Sequence, residues 1–446
     1  MAKTHGPKIV MVGGGSYNWC PKLLRDMMLT GELEGSEIVL LDPNLTAAEE
    51  VKAAGDAMAG RFGKRYRIRA TRSEPSAFRQ ADFVIITIST GDLAMMAHDL
   101  KIPEKYGIFQ TVGDTVGPGG WSRALRNVPV FVRLAGQIEK YSPRAVVLNY
   151  TNPLAVLTGT FCRVSGLRNV GLCHGVFGTY ELLQRLLRCR ERHLSVRFGG
   201  VNHFFWVLEF AVRGKPGYPM LARRLKGKSV DEALAEGSTD EMGFHSHHAL
   251  LNEFYRQYGY LTYAGDRHTS EFVPGYITPD RAALKAFRLV RTNVKQRHAN
   301  RARARKWTLA LAAGKVDPGP RSRETAVDIM VAVAHGKPFC DVVNLPNVGQ
   351  IENLPRGAVV ETLGLVDPLG FRPIATGALP PVLEQLVAPH CRCQLMTVEA
   401  ALTGERELAL QALMADPICS HLTPTQVRRM GNELMAATRK YLPQFK

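Results

Sequence analysis

A cysteine and a histidine are the side chains in this sequence best suited to hold a metal ion. Cys173 lies in a strand-like run, NVGLCH at 169–174, and His203 lies in the segment GGVNHFFW. A thiolate and an imidazole can bind one divalent cation, while substrate oxygens and water complete its coordination shell. If the two residues do not meet, they are instead a buried thiol and a hydrogen-bonded core histidine. The sequence thus indicates a candidate metal site and leaves this alternative open.

Titratable and aromatic side chains are concentrated in residues 260–276, with the sequence YLTYAGDRHTSEFVPGY. This stretch contains Tyr263, Asp266, Arg267 and His268. Such residue types suit proton transfer and the binding of an anion. The stretch therefore indicates part of an active site, and a polar rim around a domain interface is the alternative.

Gly13, Gly15 and Ser16 lie in a GGGS turn that follows the first strand-like run. A second run ends at Asp42, at about the separation expected for a dinucleotide-binding βαβ unit. Glycines let backbone N–H groups approach a pyrophosphate, and Asp42 could accept hydrogen bonds from the ribose diol. Because an acidic side chain repels a 2′-phosphate, the pattern favours NAD over NADP. Asn18 replaces the last glycine of the fingerprint, so a turn that needs glycines only for its geometry stays open.

Two further polar segments follow strand-like runs. The segment VGDTVGPGGWSR at 112–123 is too rich in glycine for a helix or a regular strand, which predicts a shaped loop that carries Arg123. The segment NYTNP contains two amides, Asn149 and Asn152. Loops at the carboxyl ends of parallel strands are where open α/β sheets bind ligands, so we expect both segments to line one crevice.

A sheet must position these segments. The first half alternates β-rich runs with helical patterns, which is typical of a doubly wound parallel sheet buried on both faces. The second half mixes strand-like, helical and irregular pieces without a detectable repeat. We predict a Rossmann-like α/β domain at 1–195, related in fold to 2-hydroxy-acid dehydrogenases such as lactate and malate dehydrogenase, and an α+β domain at 196–446. The β-rich runs lie at 8–13, 37–42, 82–89, 145–150 and 169–174.

Composition excludes several classes of protein. The chain has 446 residues, of which 45% are hydrophobic and 22% charged, and this balance argues against wholesale disorder. No apolar run is long enough to cross a bilayer, and the chain enters a strand-like run by Lys8, which leaves no room for a secretory signal. We therefore expect a cytoplasmic protein without a membrane partner, whose cysteines are thiols.

The net charge of +17 is compatible with a nucleic-acid partner or with an anionic small substrate. Part of the excess is local, because residues 281–323 hold thirteen Lys or Arg and one acid, Asp317. No aromatic stacking pattern interleaves these charges, and the common nucleic-acid-binding signatures are absent from the sequence. We expect an exposed helix or a mobile loop here, and no nucleic-acid partner.

Eight segments of the sequence resemble glycoside hydrolase family 4, the NAD-dependent glycosidases. They occur in the right order along nearly the whole chain, so together they are far more specific than any one motif. Within the family the chain looks most like the α-galacturonidase group. The segments are GGGS, VGDTVGPGG, NYTNP, CHGVFGT, GVNHF, AGDRHTSEFVPG, NLPNVGQIENLP and GALP.

The resemblance implies a Rossmann-like domain joined to an α+β domain for substrate, metal and subunit contacts, in a homodimer or homotetramer. It also implies bound NAD and Mn²⁺, or another divalent cation. In this family NAD takes hydride from the sugar C3, a base removes the C2 proton, and the aglycone leaves from C1. Water then adds, and the hydride returns to C3. The net reaction is hydrolysis, and the metal stabilises the negative charge that follows proton removal.

The resemblance also assigns roles to residues. His174 stands where members acting on phosphorylated sugars carry an acidic residue. This difference implies an unphosphorylated glycoside, and it implies that His174 contacts the substrate. Gly175 replaces an acidic residue expected in closer galacturonidases, which leaves the exact uronate open. The other implied roles are NAD binding by Gly13, Gly15, Ser16 and Asp42, a place near the nicotinamide for Asn149, metal binding by Cys173 and His203, and contact of Asn152 with sugar hydroxyls.

The general base is one of three residues, Asp266, Tyr263 and His268, with Asp266 as the first choice. For the substrate carboxylate, Arg123 and Arg267 are the candidates, because a guanidinium fork fits a carboxylate bidentately.

We therefore expect a glycosidase for a small α-linked uronide, with an α-galacturonide as the first choice. An α-glucuronidase, an α-glucosidase or an α-galactosidase of the same family stays open. A 2-hydroxy-acid dehydrogenase would use the first half alone and need no metal. A nucleic-acid-binding module would rest on residues 281–323 and lose affinity steeply with salt.

Overall fold

Helices cover both faces of one long mixed sheet in the computed structural model, which describes residues 6–234 and 247–445. Its strands, in chain order, are β1 (Lys8–Val12), β2 (Glu37–Leu41), β3 (Arg67–Thr71), β4 (Phe83–Ile86), β5 (Val146–Asn149), β6 (Arg168–Gly171), β7 (Leu194–Val201), β8 (Phe204–Val212), β9 (Lys215–Pro216), β10 (Leu261–Thr262), β11 (Phe339–Pro346), β12 (Val359–Asp367) and β13 (Gly370–Pro373).

The α-helices are α1 (Cys20–Met28), α2 (Leu45–Arg61), α3 (Glu74–Phe78), α4 (Asp92–Glu104), α5 (Gly117–Tyr141), α6 (Leu154–Val164), α7 (Gly175–Leu187), α8 (Gly217–Leu225), α9 (Val230–Leu234), α10 (Ala249–Tyr258), α11 (Asp266–Thr269), α12 (Ala282–Ala286), α13 (Val294–Ala312), α14 (Ala326–His335), α15 (Pro381–Thr403), α16 (Arg406–Met414) and α17 (Pro424–Thr438).

The first half forms the expected doubly wound parallel sheet. Strands β3, β2, β1, β4, β5 and β6 lie side by side in this order, and all of their pairings are parallel. In β1, Val10 and Val12 point into the core beneath α5, whereas Ile9 and Met11 point into the core beneath α1 and α2. Because alternate side chains point to opposite faces, a strand between two helical layers is apolar at nearly every position. The Rossmann-like fold is therefore confirmed.

The second half continues the same sheet. Strands β11, β12, β7 and β8 extend it from β6 through antiparallel pairings. The register aligns Gly171, Asn344, Glu361 and Gly200 across four neighbouring strands. The expected domain boundary after residue 195 falls inside β7, so the sheet is continuous across it. The division into domains at 1–195 and 196–446 stays a prediction.

The segment 112–123 is only partly the loop that its composition predicts. The loop ends at Val116 and helix α5 begins at Gly117, so the prediction of a loop through residue 123 is wrong. Pro118 is tolerated in the first turn because its missing N–H would have no partner within the helix. A Cβ on Gly120 would lie 2.4 Å from the carbonyl carbon of Thr115, so this glycine lets the helix begin directly against the loop.

The basic segment 281–323 contains two helices, α12 and α13. Helix α13 packs against α2 of the first half, and only Thr308 and Leu311 among its side chains are buried. The expectation of an exposed helix therefore holds for this part of the segment. Among the residues that the structure describes, no helix combines the length and the hydropathy that a bilayer crossing requires.

Candidate active site

Cys173 and His203 meet. The Cys173 Sγ atom lies 3.2 Å from His203 Nε2. Cys173 follows β6 by two residues, and His203 lies in the two-residue turn between β7 and β8. Metal–sulfur and metal–nitrogen bonds are about 2.3 Å and about 2.1 Å long, so one cation could contact both atoms at this separation. The pair would therefore suit one shared cation.

The backbone of His203 is held in an uncommon conformation. Its φ is 67°, in the left-handed region, whereas this position of a tight turn usually takes glycine or asparagine. A non-glycine residue pays roughly 1–2 kcal/mol for this conformation. Such strain is tolerated at sites where side-chain placement matters, and here it directs the imidazole at Cys173.

Hydrogen bonding fixes which ring nitrogen of His203 carries the proton. Thr115 Oγ1 donates to Asp114 Oδ1 at 2.9 Å, so it accepts the proton of His203 Nδ1, which lies 3.1 Å away. The Nε2 atom then carries a lone pair toward Cys173. A histidine whose other nitrogen is held in this way is oriented as a metal ligand.

Cys173 has a raised thiol pKa. Burial, together with the charge of Glu361, raises the pKa of this thiol to about 12, although the amide N–H of Gly175 donates to the sulfur at 3.4 Å. The thiol can donate its proton to Nε2 of His203. A thiolate ligand would require the positive charge of a bound cation, because cations deprotonate thiols that bind them.

A buried acid lies behind this pair. Glu361 Oε2 accepts from Asn202 Nδ2 at 3.0 Å and from Asn344 Nδ2 at 2.9 Å. Burial raises the pKa of Glu361 to about 7, and the two amides oppose this shift. Glu361 and Asn344 were not predicted from the sequence. The signal was an acid inside the apolar strand run VVETLGL, which forms β12.

The sulfur of Cys173 and the imidazole of His203 fit a metal site that substrate oxygens would complete. Within residues 6–234 and 247–445, no group of three or more His, Cys, Asp or Glu side chains is arranged to hold a metal ion. One thiol and one imidazole suit a borderline divalent cation and leave most of its coordination positions for substrate oxygens and water.

Tyr263 and His268 both contact the ring of His203. The ring centroids of His203 and His268 are 3.9 Å apart, and those of His203 and Tyr263 are 5.5 Å apart with an interplanar angle of 23°. Both side chains are almost completely buried. Two of the three candidate bases therefore lie beside the Cys173–His203 pair.

Asp266 has a different position. Its two carboxylate oxygens accept from the backbone N–H groups of Leu250, at 2.7 Å, and Leu251, at 3.0 Å, at the start of α10. Burial raises its pKa to about 7, and these hydrogen bonds oppose the shift. Asp266 thus caps a helix, a role that side chains at helix N-termini commonly have. Both oxygens of our first choice of base therefore accept from backbone amides, and its role in proton transfer stays a prediction.

Arg267 is also committed to the protein. One terminal nitrogen of its guanidinium donates to Thr111 O at 3.1 Å and to Thr292 Oγ1 at 2.9 Å. Arg123 is half-buried, and its Nε donates to the backbone oxygen of Asn152 at 2.9 Å. Burial lowers the pKa of the Arg123 guanidinium, and the charge of Asp114 opposes this shift. Arg123 is the better placed of the two arginines for an anionic ligand.

Asn152, Asn149 and His174 occupy distinct environments. Asn152 is half-buried beside Arg123, and its Oδ1 accepts from Leu154 N at 3.3 Å. Asn149 is buried, with Oδ1 accepting from Thr151 N and Nδ2 donating to Thr158 Oγ1, and its expected place near the nicotinamide stays a prediction.

His174 directly follows Cys173 in the chain and lies beside Glu324 and Trp19. Its Nδ1 is 3.7 Å from Glu324 Oε1, and its ring lies 6.1 Å from the ring of Trp19, next to the glycine-rich turn. The side chain is half-exposed. It therefore faces the side of the crevice where β1 ends.

The glycine-rich turn has the geometry of a dinucleotide cradle. Gly13 has a φ of +88°, and a Cβ there would lie 2.4 Å from Thr87 O. Ser16 N donates to Gly13 O at 2.9 Å and closes the turn. Asp42, at the end of β2, accepts from Gly15 N at 2.9 Å and Asn44 N at 2.8 Å, which fixes its carboxylate beside the turn. These residues fit a pyrophosphate and a ribose diol at the carboxyl edge of the sheet.

Known proteins match this chain over almost its whole length. The model of the family 4 glycosyl hydrolases matches residues 8–189, and the model of their C-terminal domain matches residues 198–419. An alpha-galacturonidase of Thermoanaerobacter italicus is 33% identical, with 99% of this chain and 98% of that protein covered. An alpha-galacturonidase of Bacillus subtilis is 35% identical over 92% of this chain and 93% of its own length.

Solved structures give the same result for the fold. The crystal structure of the Bacillus subtilis protein lplD matches with a TM-score of 0.88 at 32% identity, covering 96% of this chain and all of that one. A 6-phospho-alpha-glucosidase from gut microorganisms, solved in complex with NAD and Mn²⁺, matches with a TM-score of 0.83 at 20% identity over 99% of this chain and all of that one. From the two family models and these relatives, we conclude that the chain belongs to family 4 of the glycosyl hydrolases.

Proposed function

We propose that this enzyme hydrolyses small α-linked uronides, with an α-galacturonide as the first substrate, and that it uses NAD and a divalent cation such as Mn²⁺. The observation that carries the proposal is the 3.2 Å contact between Cys173 Sγ and His203 Nε2, beside two candidate bases. When bound, NAD would oxidise the sugar at C3 and the cation would stabilise the negative charge that develops after loss of the C2 proton.

The chain's own residues would hold the two groups. Gly13, Gly15 and Ser16 would receive the pyrophosphate, and Asp42 would accept hydrogen bonds from the adenosine ribose. Cys173 and His203 would hold the cation, with Thr115 orienting the imidazole through Nδ1.

We assign the removal of the C2 proton to Tyr263, with His268 as the second candidate. Tyr263 stacks on the His203 ring and the His268 ring lies tilted against it, so either side chain could receive a proton from a sugar bound beside His203. Tyr263 is favoured because its ring borders the same backbone position, Gly175, that borders the Cys173 sulfur.

Arg123 is the proposed partner of the substrate carboxylate. Burial disfavours the charged guanidinium even near Asp114, so an anion that pairs with it would be bound strongly. Asn152 lies beside it and would contact sugar hydroxyls. Four relatives named as alpha-galacturonidases, at 31–35% identity, support a uronide. An alpha-galactosidase of Bacillus subtilis at 31% identity keeps a neutral α-galactoside as the second candidate.

Hydrolysis of nitrophenyl α-galacturonide in deuterated water, with NAD and Mn²⁺, tests this function. We expect product that carries deuterium at C2, with no net NADH. Cys173→Ser should abolish turnover, whereas Cys340→Ser, at an exposed thiol, should match the wild type. Tyr263→Phe and His268→Gln should separate the two candidate bases.

Two results would contradict the proposal. Product without deuterium would reject proton removal at C2. Faster turnover of nitrophenyl α-galactoside than of the uronide would reject the substrate class and leave the family reaction intact. The proposal also includes a cytoplasmic location, which would keep the eight unbridged cysteines reduced, and a homodimer or homotetramer.

A further inference from the structure

The basic helix α13 covers the first half of the chain at the carboxyl edge of its sheet. Its nineteen residues contain six Lys or Arg and no acid, and would extend for about 28 Å. Arg297, near its N-terminal end, lies close enough to Arg123 of the candidate active site to lower the pKa of that guanidinium. Further along, Arg305 reaches α2. The helix thus extends from the substrate side of the crevice to the far end of the dinucleotide cradle.

A pocket of about 470 Å³ separates α13 from the Rossmann-like half. Its helix wall consists of His298, Arg301, Ala302 and Arg305. The opposite wall consists of Tyr17, Asn44, Thr46 and Ala47, from the glycine-rich turn and the start of α2. In a Rossmann fold, the residues just after the acid that ends β2 surround the adenosine ribose. Asn44 and Thr46 directly follow Asp42, so this pocket lies where that ribose would be.

Two ion pairs hold α13 over the pocket. Arg301 Nη1 lies 2.8 Å from both carboxylate oxygens of Asp92, at the start of α4. Arg305 donates to Glu50 of α2 through Nε at 2.9 Å and Nη2 at 2.5 Å, and Tyr17 also donates to Glu50. The pairs are one helical turn apart and attach the helix to α4 and to α2.

These attachments are weak individually. The two arginines are half-exposed, and exposed ion pairs stabilise a protein by at most about 1 kcal/mol. The buried side chains of α13, Thr308 and Leu311, lie toward its C-terminal end, beyond the pocket. No side chain is fully buried in the part of the helix that covers the pocket, and the Arg301–Asp92 and Arg305–Glu50 pairs add to its packing against α2 there.

We propose that α13 is a clamp on the adenosine half of the cofactor, closed by the Arg301–Asp92 and Arg305–Glu50 pairs. The proposal rests on the proposed use of NAD. The clamp closes over bound dinucleotide and must open before the cofactor leaves. Helix α13 contains no acidic residue that would balance its positive charge. This charge also favours a ligand with two phosphates.

The rate of NADH dissociation tests the clamp. NADH fluorescence would be followed in a titration, and in a stopped-flow experiment in which excess NAD displaces it. Arg301→Glu should raise the dissociation rate about tenfold, because it converts the pair with Asp92 into a repulsion. The double variant Arg301→Glu/Asp92→Lys should return the rate to within about threefold of the wild type.

Arg303→Glu is the matched control. Arg303 is an exposed residue of the same helix and forms no ion pair within the described ranges, so its reversal changes the net charge equally without opening the clamp. Its dissociation rate should stay within about twofold of the wild type. Equal thermal unfolding midpoints of the two single variants would show that both fold.

The possible results distinguish a failure of the clamp proposal from a failure of the proposed function. If Arg301→Glu and Arg303→Glu release NADH at the same rate, or if the double variant is not rescued, the clamp is rejected while the cofactor assignment stands. If the wild type binds neither NADH nor NAD, the proposed use of NAD is rejected together with the clamp.

Discussion

At the residue scale, Tyr263 owes its position to two glycines. A Cβ on Gly175 would lie 2.7 Å from Tyr263 Cε2, and a Cβ on Gly265 would lie 2.4 Å from Cε1 on the other edge of the ring. Both distances are below any normal carbon–carbon contact, so the ring lies directly against the backbone on both sides. In this slot it stacks on His203. The glycines therefore determine where the proposed base is held.

We expect Gly175→Ala to displace the Tyr263 ring and lower kcat by about tenfold or more, because small misplacements of a catalytic group are costly. NADH affinity should not change. Gly136→Ala, at an exposed helix position with open space around it, is the matched control and should leave kcat unchanged.

A double-mutant cycle distinguishes this effect from general damage. In a Tyr263→Ala background the added methyl group has no ring to displace, so Gly175→Ala should cause no further loss. Equal losses in both backgrounds would show that Gly175 acts independently of the ring.

Residue types alone predicted part of this site. Cys173 and His203 were identifiable because few side chains bind metals, whereas their contact depends on a turn at positive φ that the sequence does not reveal. A buried carboxylate that caps a helix has the same sequence signature as one that moves a proton, so the sequence could not reveal that Asp266 binds backbone amides. Only its partners, the backbone N–H groups of Leu250 and Leu251, distinguish the two roles.

At the scale of elements, Glu271 fastens the 260–276 stretch to the loop before α5. Its Oε1 accepts from Val112 N at 2.6 Å, Gly113 N at 2.9 Å and Thr111 Oγ1 at 3.1 Å. Thr115, which orients His203, lies two residues beyond Gly113. The tie thus connects the element that carries Tyr263 and His268 with the element that orients the candidate metal ligand.

This tie makes stability depend on pH. Burial raises the pKa of Glu271 from 4.5 to about 7, against the opposing effect of its hydrogen bonds. The folded protein then binds a proton that the unfolded chain releases, so the free energy of unfolding falls as the pH rises through this window. Above about pH 7, the free energy of unfolding would be lower than at acidic pH by up to about 3 kcal/mol.

Glu271→Gln removes the titrating group and isolates its contribution. We expect the stability advantage of the wild type over this variant to be larger at pH 5 than at pH 8, measured by urea denaturation at both values. An advantage that grows with pH would mean that the N–H donors outweigh burial and lower the pKa instead.

Strands with strong apolar runs were predictable, and elements defined by close packing were not. Runs such as DFVIITIS contain β4 because a strand between two helical layers is apolar throughout. The edge strand β3, with the sequence RIRAT, gives no such signal because only Ile68 of its five side chains is buried. The start of α5 was missed because glycine density argues against a helix, whereas here it permits close contact with Thr115.

At the scale of the whole molecule, the two halves share one sheet, and the site lies where they join. The row of Gly171, Asn344, Glu361 and Gly200 crosses the junction, and the candidate metal ligands follow its first and last members. Alternating strand-like and helical patterns predicted the parallel sheet of the first half, but the long-range antiparallel pairing through β11 and β12 that extends it leaves no local signal in the sequence. The same holds for α13, whose charge was evident and whose position over the cradle was not.

The net charge of +17 surrounds the whole protein with a positive field, which should affect how fast the enzyme captures its substrate. Raising the ionic strength from 10 mM to 100 mM shortens the screening length from about 30 Å to about 10 Å. We expect kcat/KM for a nitrophenyl α-galacturonide to fall by about threefold or more over this range, because a positive field attracts the anionic substrate. For the neutral nitrophenyl α-galactoside, measured with the same enzyme, kcat/KM should stay nearly constant. If both substrates respond equally to salt, the charge acts on the protein or its cofactor, and attraction of the uronide is rejected.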